Sequence, residues 1–154
     1  MISPNYLKEG ATVAIVSTAR KISKKELIPA ITILKKWGLK VVLGKSIEAE
    51  EHQFAGNDKL RTSDFQAMLD HPGIDAVWCA RGGYGTVRII DQLDFSNFKK
   101  HPKWIIGYSD VTVLHSHIHQ LGIETLHAQM PVSIETKPEV TINSIKATLF
   151  GEQY

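Results

Sequence analysis

Short apolar runs alternate with longer segments in which apolar residues recur at helical spacing. Thr12 to Ser17 contains four consecutive apolar residues, which favours a strand covered on both faces. Similar runs predict four further strands, over residues 39–43, 75–80, 104–107 and 124–127. Parallel strands need crossover connections, and these are right-handed, so the alternation predicts a three-layer α/β fold, a parallel sheet with helices on both faces.

The segments between the strands carry helix start and stop signals. Leu27, Ile31 and Leu34 recur at helical spacing within residues 23–37, and Gly38 is well placed to end that helix. Other helices are predicted from Asn57 or Asp58 to about residue 69, over 86–93, from about 110 to 122, and before a closing Gly151. No repeat or linker interrupts the pattern, so residues 1–154 are predicted to form one domain.

The composition is that of an ordinary globular domain. A hydrophobic fraction of 43% with 22% charged residues excludes a disordered, collagen-like or coiled-coil chain. The net charge of +2, spread along the chain, gives no electrostatic footprint for nucleic acid. No apolar run approaches the roughly 20 residues that span a bilayer, residues 1–10 contain no apolar core of a secretory signal, and the single Cys79 cannot form an internal disulfide. We therefore expect a soluble, cytoplasmic protein.

Ser109 stands between a predicted strand that ends at Gly107 and a helix that begins at about Asp110. A serine at such a corner can be a nucleophile, because a sharp turn exposes its hydroxyl and the next backbone N–H helps to form an oxyanion hole. Val111, rather than a small residue, stands two positions after Ser109, so the match to the nucleophile-elbow pattern is partial. The alternative is ordinary N-capping, since Ser followed by Asp commonly opens a helix.

A glycine-rich loop, Arg81-Gly82-Gly83-Tyr84-Gly85, follows the preceding predicted strand. Its glycines permit positive φ and a close approach of backbone N–H groups to a ligand. The N–H of Gly83 could be a second oxyanion donor, or the loop could hold a phosphate ahead of the next helix, or it could simply be a turn. Its spacing matches neither a dinucleotide-binding fingerprint nor a P-loop.

Three motifs together resemble the amino-terminal half of the LD-carboxypeptidases, a serine peptidase family that includes microcin-C immunity peptidases. They are residues 81–85, Gly107-Tyr108-Ser109-Asp110 with Thr112, and His127-Ala128-Gln129-Met130-Pro131, in order along essentially the whole chain. The resemblance implies a flavodoxin-like, class I amidotransferase-like sheet. It also implies that Ser109 is the nucleophile and that the N–H groups of Asp110 and Gly83 form the oxyanion hole.

Several residues near these motifs are predicted to contact the substrate: Arg81, Gly82, Tyr84, Tyr108 and His127. Arg81 could bind a substrate carboxylate or form a structural salt bridge at the end of its strand. Tyr84 and Tyr108 could line the pocket or only pack, and His127 could also act as a substitute base.

The remaining histidines and the cysteine offer less specific alternatives. His115 and His119 have the i, i+4 spacing of metal ligands on a helix, but no third ligand is evident, and a solvated or half-buried position facing sideways or outward is the plainer interpretation. Cys79 in a buried strand is predicted to be a core residue rather than a nucleophile. We expect neither a metal nor an organic cofactor.

The expected activity is release of the terminal D-Ala from cytoplasmic murein tetrapeptides during peptidoglycan recycling. The resemblance places the catalytic Glu and His in a second, carboxyl-terminal domain beyond Tyr154, so the 154 residues alone are expected to be inactive or nearly so, and to associate as a dimer through the face that this domain would cover. Two alternatives remain. One is a microcin-C immunity-type peptidase that acts on a nucleotide–peptide conjugate, and the other is a non-catalytic flavodoxin-like module that binds a phosphorylated ligand.

Overall fold

A computed structural model describes residues 1–152. Five parallel strands form one sheet in the order β2-β1-β3-β4-β5. The strands are β1 (Thr12–Val16), β2 (Lys40–Leu43), β3 (Ala76–Cys79), β4 (Trp104–Gly107) and β5 (Leu126–His127). This strand order is that of flavodoxin-like folds, and the predicted three-layer parallel sheet is confirmed.

Five α-helices cover the two faces of the sheet. They are α1 (Lys24–Lys36), α2 (Asp58–Asp70), α3 (Ser96–Lys100), α4 (Thr112–Gln120) and α5 (Glu139–Phe150). Buried residues of α1 and α5 share one hydrophobic cluster, while those of α2, α3 and α4 share the cluster on the opposite face. Side chains alternate between these clusters along each central strand, as in β1, where Val13 and Ile15 join the first and Ala14 and Val16 the second.

The helix ends follow the capping signals of the sequence. Ser23 and Glu26 form a capping box at the start of α1, and Asn57 accepts a hydrogen bond from the Leu60 backbone N–H at 2.8 Å at the start of α2. Gly38, at φ +77°, lies just beyond the last turn of α1. The Leu39 N–H then donates to the Leu34 carbonyl at 3.0 Å, the closing bond of a Schellman motif.

Two segments differ from the helices that the periodicity predicts. Residues 86–93 form two 3₁₀ turns, Thr86–Arg88 and Ile90–Gln92, rather than one helix. The Arg88 N–H donates to the Gly85 carbonyl and the Ile89 N–H to the Thr86 carbonyl, so the segment begins with i to i+3 bonds rather than with α-helical ones. The helix expected from Asp110 begins as a 3₁₀ turn over Ser109–Val111 and becomes α-helical at Thr112. The short α3 is not predicted by the pattern. No helix in residues 1–152 has the length and apolar character needed to cross a bilayer.

Gly107 ends β4 where the chain turns sharply into the next helix. A Cβ atom at this position would lie 2.9 to 3.1 Å from the Cγ1, Cγ2 and Cβ atoms of Val111, which is fully buried. The corner therefore has no room for a side chain, which explains the glycine without any need for positive φ.

Replacing Gly107 with alanine is expected to lower the free energy of unfolding by about 1–3 kcal/mol, because Val111 and the turn must shift to admit the methyl group. Urea unfolding followed by circular dichroism measures the change. Gly73→Ala is the matched control, since its Cβ would meet only the exposed ring of His71, at 3.1 Å from Cε1. Equal urea midpoints for the two variants would contradict the steric account.

Candidate active site

Ser109 lies at the corner between β4 and the following helix, with φ +60° and an exposed side chain. A left-handed backbone at a non-glycine residue is uncommon and is associated with functional turns. Ser109 is the first residue of the 3₁₀ turn, and the N-cap positions of that turn and of α4 belong to Tyr108 and Val111, neither of which makes a side-chain capping hydrogen bond. The N-capping alternative therefore does not describe this serine, whereas a strained, exposed position is the geometry of a nucleophile elbow.

The buried side chain of His115 stabilises this corner through hydrogen bonds of both ring nitrogens. Its Nε2 donates to the Gly107 carbonyl at 2.9 Å, and its Nδ1 accepts from the Thr125 hydroxyl, 2.7 Å away. Because a carbonyl can only accept, the pair of contacts fits the neutral ring with its proton on Nε2. Burial lowers the pKa of His115, the Gly107 hydrogen bond opposes that effect, and nearby His127 lowers the pKa further. The sequence-based expectation that this ring faces sideways or outward is wrong, because α4 turns position 115 toward β4.

The glycine-rich loop adopts positive φ at three consecutive residues: +101° at Gly83, +102° at Tyr84 and +143° at Gly85. A Cβ atom at Gly83 would lie 2.8 Å from Cδ of Arg20, and one at Gly85 would lie 2.8 Å from Cα of Ala19. The glycines therefore allow this loop to pack closely against the loop that follows β1. These two loops lie at the carboxyl ends of β1 and β3, where the strand order reverses and where ligands bind in such sheets.

Gly82 brings the glycine-rich loop against the residue after the predicted nucleophile. A Cβ atom at Gly82 would lie 3.4 Å from the backbone nitrogen of Asp110 and 3.2 Å from its Cβ. The Asp110 carboxylate contacts Thr86, the residue directly after the loop. Its Oδ2 accepts hydrogen bonds from the Thr86 N–H at 3.0 Å and from the Thr86 hydroxyl at 2.6 Å. The Thr86 N–H, the first amide after the loop, is therefore already bonded to the Asp110 carboxylate and is not available to a phosphate. This disfavours the phosphate-binding alternative.

Arg61 holds the glycine-rich loop from the side of α2. Its side chain is fully buried, and Nη1 donates to the Thr18 carbonyl at 2.6 Å and to the Gly85 carbonyl at 3.0 Å. Nη2 forms an ion pair with Asp58. Burial lowers the pKa of Arg61, and the Asp58 carboxylate opposes that effect. The sequence analysis missed this residue, although a lone arginine on the buried face of a predicted helix was a signal that could have identified it.

Arg81 is half-buried and donates from Nη1 to the Lys21 carbonyl at 3.3 Å. It has no ion pair within residues 1–152, so the structural salt bridge that was one alternative for it is not found there. Tyr84 is 49% exposed, with its ring centroid 6.2 Å from that of Phe54. The Tyr84 side chain therefore lies on the solvent-exposed side of the glycine-rich loop.

Tyr108 and His127 lie together at the ends of β4 and β5, with ring centroids 6.3 Å apart. Tyr108 is half-buried and His127 is exposed, and the His127 ring lies 5.7 Å from that of His115. The predicted site residues thus fall into two groups at one edge of the sheet. The glycine-rich loop contacts Asp110, and Tyr108 and His127 flank the other side of the corner.

The other candidate ligands and nucleophiles separate in space. His119 is exposed whereas His115 is buried, and residues 1–152 contain no group of three or more His, Cys, Asp or Glu side chains that could hold a metal ion. Cys79 is fully buried, and this burial raises its pKa to about 12, so the group is a neutral thiol near pH 7. The prediction that Cys79 is a core residue is confirmed.

An open cleft lies at the opposite, amino-terminal edge of the sheet and contains none of the predicted site residues. Its one nearly buried cation, Lys103, donates from Nζ to the carbonyls of Met68 and His71, at 3.1 and 2.8 Å. The Lys103 ammonium group therefore satisfies backbone carbonyls at the carboxyl-terminal end of α2.

The fold and these contacts define a parallel α/β domain that presents a serine at a strand-to-helix elbow beside a glycine-rich loop. The family model described as LD-carboxypeptidase N-terminal domain matches residues 13–128. The chain belongs to this family.

Known proteins support the assignment. The chain is 41% identical over 128 residues to a Bacillus subtilis protein named "Probable murein peptide carboxypeptidase", a match that covers 82% of the chain and 40% of that protein. It is 29% identical over 142 residues to the Escherichia coli microcin C7 self-immunity protein MccF, covering 88% of the chain and 41% of MccF. A crystal structure of muramoyltetrapeptide carboxypeptidase from Oxalobacter formigenes superimposes with a TM-score of 0.79 at 27% identity, over 90% of the chain and 47% of that structure. The chain spans about half the length of the relatives that it matches.

His115→Gln is expected to remove a pH-dependent part of the stability. The folded-state pKa of His115 is lowered, so its contribution is fully present above the ordinary value of 6.5 and is lost as the pH falls through the folded-state pKa. Below pH 6.5 the wild-type free energy of unfolding should fall by up to about 1.4 kcal/mol per pH unit from this group, a component that the variant lacks. Urea unfolding between pH 5 and 8 measures it. His119→Gln, on the exposed side of the same helix, should keep the wild-type slope, and a loss of slope there would argue against His115.

Arg61→Lys is expected to destabilise the chain by about 3 kcal/mol, because lysine cannot reach the Thr18 and Gly85 carbonyls together and leaves at least one of them unsatisfied. Thermal and urea unfolding provide the measurement. Arg88→Lys is the control, since Arg88 pairs with the same Asp58 at the surface, and it should change stability little. Similar losses for both substitutions would show that the ion pair, not the buried carbonyl contacts, holds the loop.

Proposed function

We propose that the chain is the nucleophile-bearing domain of a serine LD-carboxypeptidase that releases the terminal D-Ala from murein tetrapeptides. The observation that carries the proposal is the exposed Ser109 at φ +60°, with the glycine-rich loop packed against the next backbone amide. Membership of the family and the similarity to the Bacillus subtilis protein support the substrate class.

In the proposed mechanism, Ser109 Oγ attacks the carbonyl carbon of the L–D amide bond. The developing oxyanion accepts hydrogen bonds from the backbone N–H groups of Asp110 and Gly83, and the amino-terminal end of the following helix adds a favourable partial charge. The tetrahedral intermediate then breaks its C–N bond, and D-Ala leaves with a protonated amine. Water finally attacks the acyl-enzyme, which releases the tripeptide and restores the serine hydroxyl.

The base that activates Ser109 is proposed to come from outside residues 1–152. A serine hydroxyl is a weak nucleophile without an adjacent base. Both ring nitrogens of His115 are engaged, with Gly107 and Thr125, so this ring cannot shuttle a proton without breaking the support of the elbow. The family resemblance assigns the role to a Glu and a His of a carboxyl-terminal domain, consistent with the 40–51% of the relatives' length that this chain covers.

Arg81, Gly82, Tyr84, Tyr108 and His127 are proposed to line the substrate pocket. Within residues 1–152 Arg81 makes one hydrogen bond, to the Lys21 carbonyl, which leaves further guanidinium donors for a substrate carboxylate. A cytoplasmic location, where murein fragments are recycled, is part of the same proposal. So is a homodimer, for which exposed apolar side chains such as Val87, just beyond the glycine-rich loop, offer contact area.

A microcin-C immunity-type peptidase is the second candidate, and the similarity to the Escherichia coli protein MccF favours it. The elbow and the oxyanion donors would serve either substrate, because both reactions cleave an acyl–nitrogen bond. Competition between a murein tetrapeptide and an aminoacyl sulfamoyl nucleotide for the same two-domain protein distinguishes the two candidates.

With a carboxyl-terminal domain of the family added in trans to supply the base, fluorophosphonate probes are expected to label Ser109 in the wild-type chain and to label no residue of the chain in Ser109→Ala. The matched control is Ser116→Ala, an exposed serine on α4, which should leave labelling unchanged. Labelling that persists in Ser109→Ala, located by peptide mass spectrometry, would exclude Ser109 as the nucleophile.

Hydrolysis of a murein tetrapeptide by residues 1–154 alone should be lower than that of a two-domain family member by a factor on the order of 10⁶, the loss that follows removal of the catalytic base in a serine peptidase. Adding a carboxyl-terminal domain of the family in trans should restore D-Ala release, measured with D-amino acid oxidase. Comparable rates without that domain would refute the two-domain mechanism.

A further inference from the structure

We propose that the carboxylate of Asp110 is a positioning residue, which fixes the glycine-rich loop at the spacing that an oxyanion hole requires. The role is distinct from that of the Asp110 backbone N–H, which is one of the two proposed oxyanion donors. The inference rests on the proposed function, because it assigns to the side chain the alignment of the second donor, the N–H of Gly83.

The contact joins two loops that follow different strands. Both Thr86 donors, the backbone N–H and the hydroxyl, end on the same Asp110 oxygen, Oδ2, at 3.0 and 2.6 Å. Thr86 is fully buried and stands three residues after Gly83, directly beyond the last glycine of the loop. Charge-assisted hydrogen bonds of this kind are shorter and stronger than neutral ones, so the contact is a firm link between the elbow and the loop.

A buried partner fixes the orientation of the Thr86 hydroxyl. Thr18, also fully buried, lies with its Oγ1 2.8 Å from Oγ1 of Thr86. Because the Thr86 proton points to the carboxylate, Thr18 is the donor to Thr86. The chain from Thr18 through Thr86 to Asp110 therefore ties together the loops after β1, β3 and β4.

The loop itself has little internal means to hold a donor in place. Residues 81–85 have no helix or strand, and Gly83 is exposed at positive φ. Arg61 anchors the loop toward α2 through the Gly85 carbonyl, but it does not contact the elbow. Among residues 1–152, the Asp110–Thr86 pair is the side-chain hydrogen bond that links the loop to the segment bearing Ser109.

A purely local role in helix capping does not explain these bonds. A capping carboxylate would accept from amides of its own turn, whereas neither the 3₁₀ turn nor α4 has a side-chain capping bond. Oxyanion stabilisation depends on donors that are already in position, and a displacement of about 1 Å can cost on the order of 100-fold in rate. The geometry of Asp110 meets this need.

The test compares second-order rate constants for phosphonylation of Ser109 in the full 154-residue chain, with a carboxyl-terminal domain of the family added in trans to supply the base, since the phosphoryl oxygen of the probe occupies the oxyanion hole. Asp110→Ala should lower the rate about 100-fold, and Thr86→Val about 10-fold, because it keeps the backbone N–H contact. Asp110→Asn retains an acceptor oxygen and should recover at least part of the loss. The double variant Asp110→Ala with Thr86→Val should be no slower than Asp110→Ala, because both changes break one contact.

Matched controls separate positioning from general stability. Asp91→Asn alters an exposed aspartate, and Thr32→Val removes a hydroxyl that bonds only the Ile28 carbonyl of its own helix. Both controls should label at the wild-type rate. Urea unfolding first establishes that each variant is folded in the assay buffer, and all rates are then measured in that buffer. A lower rate therefore cannot come from an unfolded population.

Amide hydrogen exchange gives a readout that does not depend on Ser109 reactivity. Asp110→Ala should accelerate exchange at least 10-fold at Thr86, whose N–H donates to the carboxylate, and at Arg88, whose N–H donates to the Gly85 carbonyl, while α1 and α5 keep wild-type protection. Unchanged exchange at Thr86 and Arg88, or an Asp110→Ala rate within twofold of wild type, would overturn the proposal. If the wild-type chain is not labelled even with the carboxyl-terminal domain present, the proposed nucleophile fails, and exchange at Thr86 and Arg88 alone then decides whether Asp110 positions the loop.

Discussion

Strands β3 and β4 lie side by side and parallel, with Trp78 paired to Ile106, so both end at the same edge of the sheet. Their following segments, the glycine-rich loop and the serine corner, must therefore leave the sheet next to each other. Residues about 25 positions apart along the chain become neighbours through this pairing. The contact of Gly82 with the Asp110 backbone and the hydrogen bonds between Asp110 and Thr86 follow from this constraint.

Buried polar groups convert that proximity into a defined arrangement. Asp110, Thr86 and Thr18 link three loops, Arg61 binds two of them through backbone carbonyls, and His115 supports the corner at Gly107. No buried side-chain nitrogen or oxygen in the described part of the chain lacks a hydrogen-bond partner. Such satisfied networks restrict a site to one geometry, since breaking any member leaves an unpaired group in a region of low dielectric constant.

The sequence was informative where the cause of the structure is local. The strand at 104–107, the Asn57 cap and the left-handed Gly151 after α5 match the predicted positions, because each depends on neighbouring residues. The prediction of one helix over residues 86–93 was wrong because the structure of this segment has a non-local cause. Its periodicity fits a helix, but the first amide is bound by Asp110 from another loop, and the segment divides into two 3₁₀ turns.

Apolar periodicity was sufficient to predict the parallel α/β fold and the two unusual loops at strand ends, and motifs contiguous along the chain were sufficient to reveal the resemblance to the LD-carboxypeptidases. The exposure of Ser109, the inward orientation of His115 and the contacts by which Arg61 and the Asp110 carboxylate hold the glycine-rich loop became evident from the three-dimensional contacts alone. These roles depend on which side chain meets which loop across the sheet. A residue's local pattern carries no record of partners that lie tens of positions away along the chain.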